Sequence, residues 1–498
     1  MELSPEQSEC QQKPADPPVI RPSDAKAWAE CVRRVWLDNA GTVEIPDEED
    51  AFFQLVIERG IEHERLVLAG LAADAEIVEA RSELHTQELM DAGIEVIYQG
   101  QLFDKKLGLV GRPDFLIRTE TGEYQAADAK LAKSADKKEI RVQIGLYRRL
   151  LGNGLPGIVL LGNGDRVELG DEVDAVTDQF LQEMGVLLQA ENEPSVDYAH
   201  STCQACPYLT HCLSGFEAKD DLSLLYGVQG RAADGLQAIG IGSIEALSHA
   251  NPAEVPDVPY LKGDKKDRAI LQAKSVKADR VYQIAPMSLP TGTWIHFDIE
   301  DNPLTAAGDK HVYLWGFLEP GYGDEDFRPI WTNSEDEDHA GWLRFLEAVS
   351  AYRAKYPDLV LAHYGHHERS TIKAYVSRYG MLKDPVVDYL LGDDSPLFDI
   401  RKPILESLVL PLRGYGLKDV CKHPQLVNYQ WQDAESGSQW SVVQFHRFLD
   451  ETDPSQRHLL KSAILSYNRD DVLATRMLEL WLREHFGGKA LLGGGTTY

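Results

Sequence analysis

Apolar and polar positions along the chain follow two periods that change from segment to segment. Between residues 23 and 215, segments with a helical period enclose segments in which apolar and polar residues alternate, as they do in strands. The predicted elements are a helix from Ser23 or Asp24 through the apolar positions Trp28, Cys31, Val32 and Val35, a helix over 49–73, strands within 94–104 and 107–131, a helix over 137–151, a strand in "GIVLLGNG" and a helix over 172–189. This order predicts an α/β domain over residues 23–215.

Residues 216–285 have helical periodicity without strand-like alternation. A turn at Gly240-Ile241-Gly242 separates two amphipathic segments. The pattern is similar to a helix-hairpin-helix, in which backbone N–H groups at a glycine turn meet a DNA phosphate. A plain helical spacer accounts for it equally well, because glycine turns between helices are common. We therefore predict a small helical linker domain and leave both interpretations open.

Residues 286–486 return to a mixture of strands and helices. Strand-like runs occur in "TWIHFDIED", "HVYLWGFLEP" and "LVLAHYG", and helices are predicted over 340–355, 367–379 and 455–483. This order predicts a second α/β domain with a central mixed sheet. The polar, proline-containing residues 1–22 and the glycine-rich residues 487–498 are predicted to be flexible tails.

Composition restricts the class of protein without identifying its chemistry. The 498 residues are 43% hydrophobic and 26% charged, the balance of a globular protein. The formal net charge of -30 argues against a largely basic DNA-binding surface, although metal-binding carboxylates contribute to the same sum. No apolar run approaches the ~20 residues that cross a bilayer, and the N-terminus lacks the features of a signal peptide. We expect a cytoplasmic protein that does not associate with membranes.

A first set of polar residues lies in the first predicted domain. Asp128 and Lys130 are two apart on one strand, so they share a face, and Asp114 lies at the turn into the preceding strand. Carboxylates that bind Mg²⁺ or Mn²⁺ beside a lysine suit phosphodiester hydrolysis, because the metal ion polarises the phosphate and activates water. His63 on the preceding helix, and Gln143 and Tyr147 one helical turn apart, extend the set.

These residues and their motifs resemble the RecB-like nucleases of the PD-(D/E)xK superfamily. The resemblance covers about 23–215 and rests on His63, "GRPDFL" with Asp114, "ADAKL" with Asp128 and Lys130, and "QIGLY" with Gln143 and Tyr147. It implies a restriction-endonuclease-like fold, with His63, Asp114 and Asp128 as metal ligands. Lys130, Gln143 and Tyr147 would be catalytic residues.

Three of the six cysteines, Cys203, Cys206 and Cys212, form a close cluster, which in a reducing cytoplasm favours metal binding over disulfides. With Cys31 far upstream, the arrangement is similar to the iron-sulfur members of the same nuclease family. The resemblance implies that these four cysteines hold a [4Fe-4S] cluster. A structural Zn²⁺ is the alternative, since four thiolates also suit tetrahedral zinc. Cys10 and Cys421 are interpreted as ordinary thiols.

A second acidic set lies in the second predicted α/β domain. Asp298 and Glu300 in "IHFDIED" are two apart on a strand, so both carboxylates point to one side and can share metal ions. Tyr467 and Asp471 in "YNRDD" have the i, i+4 spacing that places them on one helix face. A helix can thus add one metal ligand and one water-orienting hydroxyl to an acidic strand.

This second set resembles the DEDDy-type 3′-5′ exonucleases of the RNase H-like fold. In the middle motif, "HYGHHERS" departs from the usual pattern, and Glu368 stands where aspartate is typical. The whole chain resembles RecB-like nucleases fused to a predicted RNase H-like domain. Asp399 is interpreted as a strand-end cap and Asp470 as a surface helix residue. We also predict that three loop histidines are exposed to solvent and are not catalytic: His363, His366 and His367.

The resemblances together imply a metal-dependent DNA nuclease acting in repair, recombination or defence. Single-stranded DNA or DNA ends are the expected substrates. A helicase is the expected partner, because no GxxxxGK[ST] motif for ATP-driven translocation occurs in the sequence. Two alternatives stay open: a non-catalytic nucleic-acid-binding scaffold, and an exonuclease directed at RNA.

Overall fold

The computed structural model describes residues 19–45, 50–305, 309–321, 323–432 and 437–487. The chain divides into two compact units. The described residues of the first unit are 19–44 and 58–196, and all other described residues belong to the second unit. Within the described residues, no helix combines the length and apolar character needed to span a bilayer.

The first unit is built around one mixed sheet with helices on both faces. Its elements are α1 (Asp24–Glu30), α2 (Val32–Ala40), α3 (Ala51–Leu71, whose first turns belong to the second unit), β1 (Ile77–Glu79), α4 (Glu83–Ala92), β2 (Val96–Tyr98), β3 (Leu102–Asp104), β4 (Leu109–Gly111), β5 (Phe115–Arg118), β6 (Tyr124–Lys130), α5 (Lys138–Leu151), β7 (Gly157–Leu161), β8 (Arg166–Leu169) and α6 (Asp174–Leu187). The sheet has six strands in the order β1-β2-β5-β6-β7-β8, and β3 pairs with β4 separately.

The alternation of side chains on β5, β6 and β7 divides the core of this unit between the two faces of the sheet. Leu116, Ala126 and Val159 pack with residues of α5, whereas Ala127 and Ile158 pack with residues near the end of α3. Residues two apart on a strand share a face, so Asp128 and Lys130 lie on the α5 side with Ala126. The helices and strands predicted between residues 49 and 189 are present in the predicted order, and residue 49 itself lies outside the described residues.

The prediction of one continuous helix from Ser23 was wrong at Cys31. Cys31 is extended, with φ -165° and ψ 118°, and it separates α1 from α2. The apolar positions keep a helical spacing across the break, with Trp28 and Val35 both buried in one core, so periodicity alone could not show it.

The second unit contains a five-stranded mixed sheet with helices packed on it. Its elements are α7 (His200–Gln204), α8 (Leu209–Ala218), α9 (Arg231–Ala238), α10 (Ile244–Ser248), α11 (Asp264–Ala278), β9 (Tyr282–Gln283), β10 (Thr293–Asn302), β11 (His311–Leu318), β12 (Phe327–Trp331), α12 (Asp338–Lys355), β13 (Leu359–His363), α13 (His367–Tyr379), α14 (Pro385–Leu391), β14 (Leu397–Asp399), α15 (Arg401–Ser407), β15 (Leu408–Val409), α16 (Leu417–Lys422), α17 (Ser438–Asp450) and α18 (Pro454–Phe486). The strand order is β12-β11-β10-β13-β14, antiparallel from β12 to β10 and parallel from β10 to β14.

The boundary between the units lies at residues 196 and 197, earlier than the predicted end at 215. The predicted linker domain, 216–285, is likewise part of the second unit. Side-chain contacts explain this: Arg413 bonds Glu217 at 2.6 Å, and Gln272 donates to the carbonyl of Leu410 at 2.7 Å. The predicted glycine turn lies between α9 and α10, with Gly240 in the left-handed region at φ 88°.

The predicted tails lie for the most part outside the described residues. Ile20, however, is buried and pairs with Leu109, so the folded part of the chain begins before Ser23. At the other end, Gly487 pairs with Met287. Both predicted tails therefore included a residue that the fold holds in place.

Candidate metal centres

The second unit brings three carboxylates together on the strand β10 and the helix α18. Ile295, Phe297 and Ile299 of β10 are buried in an apolar core, so the alternating positions Asp298 and Glu300 point to the opposite face. Asp471 of α18 lies on that face, and the carboxylate oxygens of these three acids lie within 4.8 Å of one another. Across the described parts of both units, no other set of three acidic, histidine or cysteine side chains meets this distance.

Asn468, one helical turn before Asp471, bridges the two acids of β10. Its side-chain N–H group donates to Asp298 Oδ2 at 2.7 Å and reaches Glu300 Oε1 at 3.4 Å. The close approach of helix to sheet requires a glycine on β11: Gly316 pairs with Asp298, and a Cβ there would come within 1.7 Å of Asn468 Oδ1. The sequence reasoning missed Asn468, although its spacing from Asp471 places it on the same helix face.

Two aromatic side chains hold Asp471. The indole N–H of Trp431 donates to Asp471 Oδ1 at 2.6 Å, and the Tyr467 hydroxyl forms a hydrogen bond with the same carboxylate. The predicted i, i+4 relation between Tyr467 and Asp471 therefore brings their polar groups into contact. Burial, followed by the charges of Asp471 and Glu300, raises the pKa of Tyr467 above its usual range, so the hydroxyl keeps its proton.

Glu368 lies in the first turn of α13 and is almost fully buried. His363 Nδ1 lies 3.1 Å from Glu368 Oε2, and the charge of Glu368 contributes to the raised pKa of Asp298. The prediction of a solvated His363 was therefore wrong, because the end of β13 buries it against Glu368. His366 is exposed, as predicted, and His367 pairs with Asp301 at 2.8 Å.

The two acids interpreted as structural have different surroundings. Asp399 accepts hydrogen bonds from the backbone N–H groups of Gly365 and Arg401, as predicted for a strand-end cap. Asp470 was predicted to be a surface residue, and this was wrong. It is buried and accepts from the Tyr429 hydroxyl at 2.9 Å and from the Gln432 N–H at 2.7 Å. It fixes the segment that supplies Trp431.

Burial raises the pKa values of all three clustered carboxyl groups, and neighbouring negative charge raises those of Asp298 and Glu300 further. For Asp298 the causes are burial and then the charges of Asp471, Glu300 and Glu368. Burial and the charge of Asp471 raise the pKa of Glu300 to about 8, and burial raises that of Asp471. Divalent cations would offset this repulsion, so the donor set of clustered carboxylates suits Mg²⁺ or Mn²⁺.

The first unit holds a second acidic group beside β6. Asp128 and Lys130 form a close ion pair, and Asp114 Oδ2 accepts from the backbone N–H of Ala129 at 2.8 Å. Burial, and then the charge of Asp128, raises the pKa of Asp114 to about 8. Burial alone would lower the pKa of Lys130, but its pairing with Asp128 raises that pKa overall. The structure thus brings Asp114, Asp128 and Lys130 together.

Tyr147 joins this group, and Gln143 supports it. Gln143 donates to the Tyr147 hydroxyl at 3.1 Å, and that hydroxyl donates to the carbonyl of Arg112 at 3.2 Å. Burial and the charge of Asp128 raise the pKa of Tyr147 well above its usual value, which indicates that the hydroxyl lies near Asp128. His63 has a different neighbour, with Nε2 located 3.2 Å from the carbonyl oxygen of Leu160.

Glu64, next to His63, was missed from the sequence. It accepts hydrogen bonds from the Tyr98 hydroxyl at 2.7 Å and from Gln99, and Gln99 also reaches Asp114 at 3.4 Å. The charge of Glu64 contributes to the raised pKa of Asp114. The only sequence signal was the adjacency to His63, which by itself does not distinguish Glu64 from the other acids of α3.

The cysteines of the predicted cluster fall in different units. Cys31 belongs to the first unit, and Cys203, Cys206 and Cys212 belong to the second, in and around α7 and α8. All four are half-buried, and none of the described cysteines forms a disulfide. Cys421 is buried, with its Sγ 3.6 Å from the carbonyl oxygen of Ala474, which agrees with an ordinary thiol. Cys10 lies outside the described residues.

The comparisons with known proteins place an RNase H-like domain in the second unit. A model of the RNase H superfamily matches residues 295–483, which include Asp298, Glu300, Glu368, Tyr467 and Asp471. One solved structure that matches is described as the crystal structure of SSO0001. It is 14% identical, covers 39% of this chain and 86% of its own, and has a TM-score of 0.21. No curated protein sequence matches. The RNase H-like domain indicates a nuclease-type fold, and nucleases of this type generally use Mg²⁺ or Mn²⁺.

Proposed function

We propose that the protein is a metal-dependent DNA nuclease whose second unit carries a DEDDy-type 3′-5′ exonuclease centre. The observation that carries the proposal is the convergence of Asp298, Glu300 and Asp471 within 4.8 Å. Glu368 would complete the acidic set, and Tyr467 supplies a hydroxyl on Asp471. The RNase H superfamily match over these residues supports the same proposal.

Each side chain then has a defined task. Asp298, Glu300, Glu368 and Asp471 would hold the divalent ions, which when bound polarise the phosphate and activate water. Asn468 and Trp431 orient three of these carboxylates through their N–H groups. Tyr467 retains its proton at neutral pH. Its hydroxyl bonds Asp471 in this structure and would donate instead to the attacking water or to a phosphate oxygen when metal ions occupy that carboxylate.

Turnover of labelled strands by the full chain tests this centre. The parent protein with Mn²⁺ should shorten a 5′-labelled single-stranded DNA from its 3′ end, and Asp298→Asn should remove that activity. Asp399→Asn is the matched control, since Asp399 caps backbone N–H groups outside the cluster. Matched DNA and RNA strands decide the substrate class. A parent protein that binds both strands but cuts neither would support the scaffold alternative.

We further propose that the first unit carries a RecB-like PD-(D/E)xK nuclease centre with a restriction-endonuclease-like fold. The support is that Asp114, Asp128 and Lys130 meet at one place, with Tyr147 beside them and Gln143 supporting Tyr147. Asp114 and Asp128 would bind the metal ion, and Lys130 would stabilise charge on the phosphate. His63, by its resemblance to the family's helix histidine, is proposed as a further ligand. In an Asp298→Asn background, Lys130→Ala should abolish the remaining DNA cleavage.

A [4Fe-4S] cluster held by Cys31, Cys203, Cys206 and Cys212 is the proposed second cofactor, with a structural Zn²⁺ as the alternative. Four thiols suit either group. Anaerobic purification should give brown protein whose visible absorbance disappears in Cys206→Ser. A colourless protein containing zinc would establish the alternative. We also propose a cytoplasmic location and a helicase partner. Co-purification with a helicase tests the proposed partner.

A further inference from the structure

Lys418 is a basic side chain located at the acidic centre of the second unit. It is the second residue of α16, and its Nζ lies 4.8 Å from the centre of the Tyr467 ring and 5.6 Å from that of Trp431. These are the two rings whose polar groups bond Asp471. The ammonium group therefore lies at the edge of the carboxylate cluster, on the side where Asp471 is held.

Electrostatics agree with this position. Burial and the charge of Lys422 lower the pKa of Lys418, and the charges of Asp471, Glu300 and Asp298 oppose these effects. Three of the four acids of the centre thus act on one ammonium group. The Nζ of Lys422, one turn further along α16, lies 5.4 Å from the centre of the Trp431 ring, so it is a second cation beside that ring.

The start of α16 is firmly anchored, which fixes where Lys418 can reach. Asp419 accepts from the backbone N–H of Gly416 at 2.9 Å and lies 3.3 Å from His200 Nε2. Just before it, the carbonyl of Tyr415 accepts from the Tyr364 hydroxyl at 2.9 Å and from Arg401 at 3.0 Å. Lys418 is half-buried, so part of the residue remains exposed to solvent.

We propose that Lys418 contacts a non-bridging phosphate oxygen of the strand bound at the exonuclease centre, which makes it a substrate-binding and catalytic residue. This inference rests on the proposed exonuclease function. Once divalent ions neutralise the carboxylates, the ammonium group is a positive charge that a phosphodiester can approach. A lysine at this place also stabilises the additional negative charge that develops on the phosphate during hydrolysis.

Lys418→Met tests the proposal, because methionine keeps much of the length of the side chain and removes its charge. On the full chain carrying Lys130→Ala, which removes the proposed first-unit activity, with Mn²⁺ and labelled single-stranded DNA, we expect Lys418→Met to lower kcat/KM about 100-fold, comparable with the loss of one donor to a developing oxyanion. Lys418→Arg should recover part of the loss. Lys422→Met is the matched control on the same helix and should cut like the parent.

Two further readouts separate substrate binding from a structural role. In an Asp298→Asn background, the slope of log affinity for single-stranded DNA against log salt concentration should decrease in magnitude by about 0.7 for Lys418→Met. Mn²⁺ affinity of Lys418→Met should equal or exceed that of the parent, since a repelling cation has been removed. Weaker Mn²⁺ binding or a lower melting temperature would instead indicate a structural role and overturn the proposal.

The outcomes also distinguish this inference from the function on which it rests. If the Lys130→Ala protein degrades strands and Lys418→Met in that background does so equally well, the Lys418 proposal fails and the exonuclease stands. An equal loss in Lys422→Met would assign the effect to the combined positive charge of the lysines on α16. That result would also overturn the Lys418 proposal. If the parent cuts neither DNA nor RNA, both proposals fail together.

Discussion

Asn468 lies directly over Gly316, and a Cβ at residue 316 would come within 1.7 Å of Asn468 Oδ1. Asn468 donates to Asp298, so the absence of a Cβ at Gly316 on β11 allows the contact that orients Asp298 on the neighbouring strand β10. Gly316→Ala should therefore displace Asn468 and lower the free energy of unfolding by about 1–3 kcal/mol, the usual cost of overpacking. Thermal or denaturant unfolding measures the change in the free energy of unfolding. Mn²⁺ titration should show weaker binding, because Asn468 no longer orients Asp298.

Gly215→Ala is the control for this substitution. Gly215 lies within α8 of the same unit, and a Cβ there would meet nothing within 4 Å. Alanine should be neutral or stabilise the protein by about 0.5–1 kcal/mol, because it favours helix more than glycine does. Equal effects at the two positions would show that contact with Asn468 does not govern the result.

The parts of the second centre that follow from local periodicity were predictable. Asp298 and Glu300 share a face because strands alternate, and Tyr467 and Asp471 meet because a helix returns after four residues. Trp431 was not predictable from the sequence. It reaches Asp471 from a segment 40 positions earlier, and no local pattern encodes such a contact. The break in the helix at Cys31 was not predictable either, because the apolar positions keep a helical spacing across it.

Trp431→Phe should keep the packing of the ring and remove the N–H group that donates to Asp471. Partners that orient a metal-binding carboxylate typically contribute 10–100-fold to metal affinity or activity. We expect a loss within that range in exonuclease turnover and in Mn²⁺ affinity. Trp481→Phe provides the comparison, because the Trp481 ring packs against the rings of His485 and Phe486 near the end of α18. A similar loss in both variants would mean that ring size, and not the hydrogen bond, is responsible.

The raised pKa of Glu300 links stability to pH and to metal. Its pKa rises from 4.5 to about 8 on folding, chiefly because of burial and the charge of Asp471. The folded state therefore binds more protons than the unfolded state between these values, and the free energy of unfolding should decrease as pH increases through this window. Asp114, whose pKa is also raised to about 8, adds to the same trend.

Divalent ions should cancel this dependence. With chelator present, the melting temperature should fall between about pH 5 and pH 8, and added Mn²⁺ should raise it most at the upper end, where the carboxylates are ionised. Asp298→Asn and Asp114→Asn should each reduce the part of the Mn²⁺ effect that belongs to its own unit. A melting temperature that increases with pH in chelator would contradict the assigned direction of these pKa shifts.

Glu64 offers the sharpest test of the centre in the first unit, because Glu62 on the same helix provides a matched control. Glu64 bonds Tyr98 and Gln99 and acts on the pKa of Asp114, whereas Glu62 is exposed and bonds Arg59. Glu64→Gln keeps the size of the side chain and removes a charge that would help to hold a cation. In an Asp298→Asn background, which leaves cleavage to the first unit, it should lower DNA cleavage by about 10–100-fold. Glu62→Gln should cut normally, so equal rates in the two variants would exclude Glu64 from this centre.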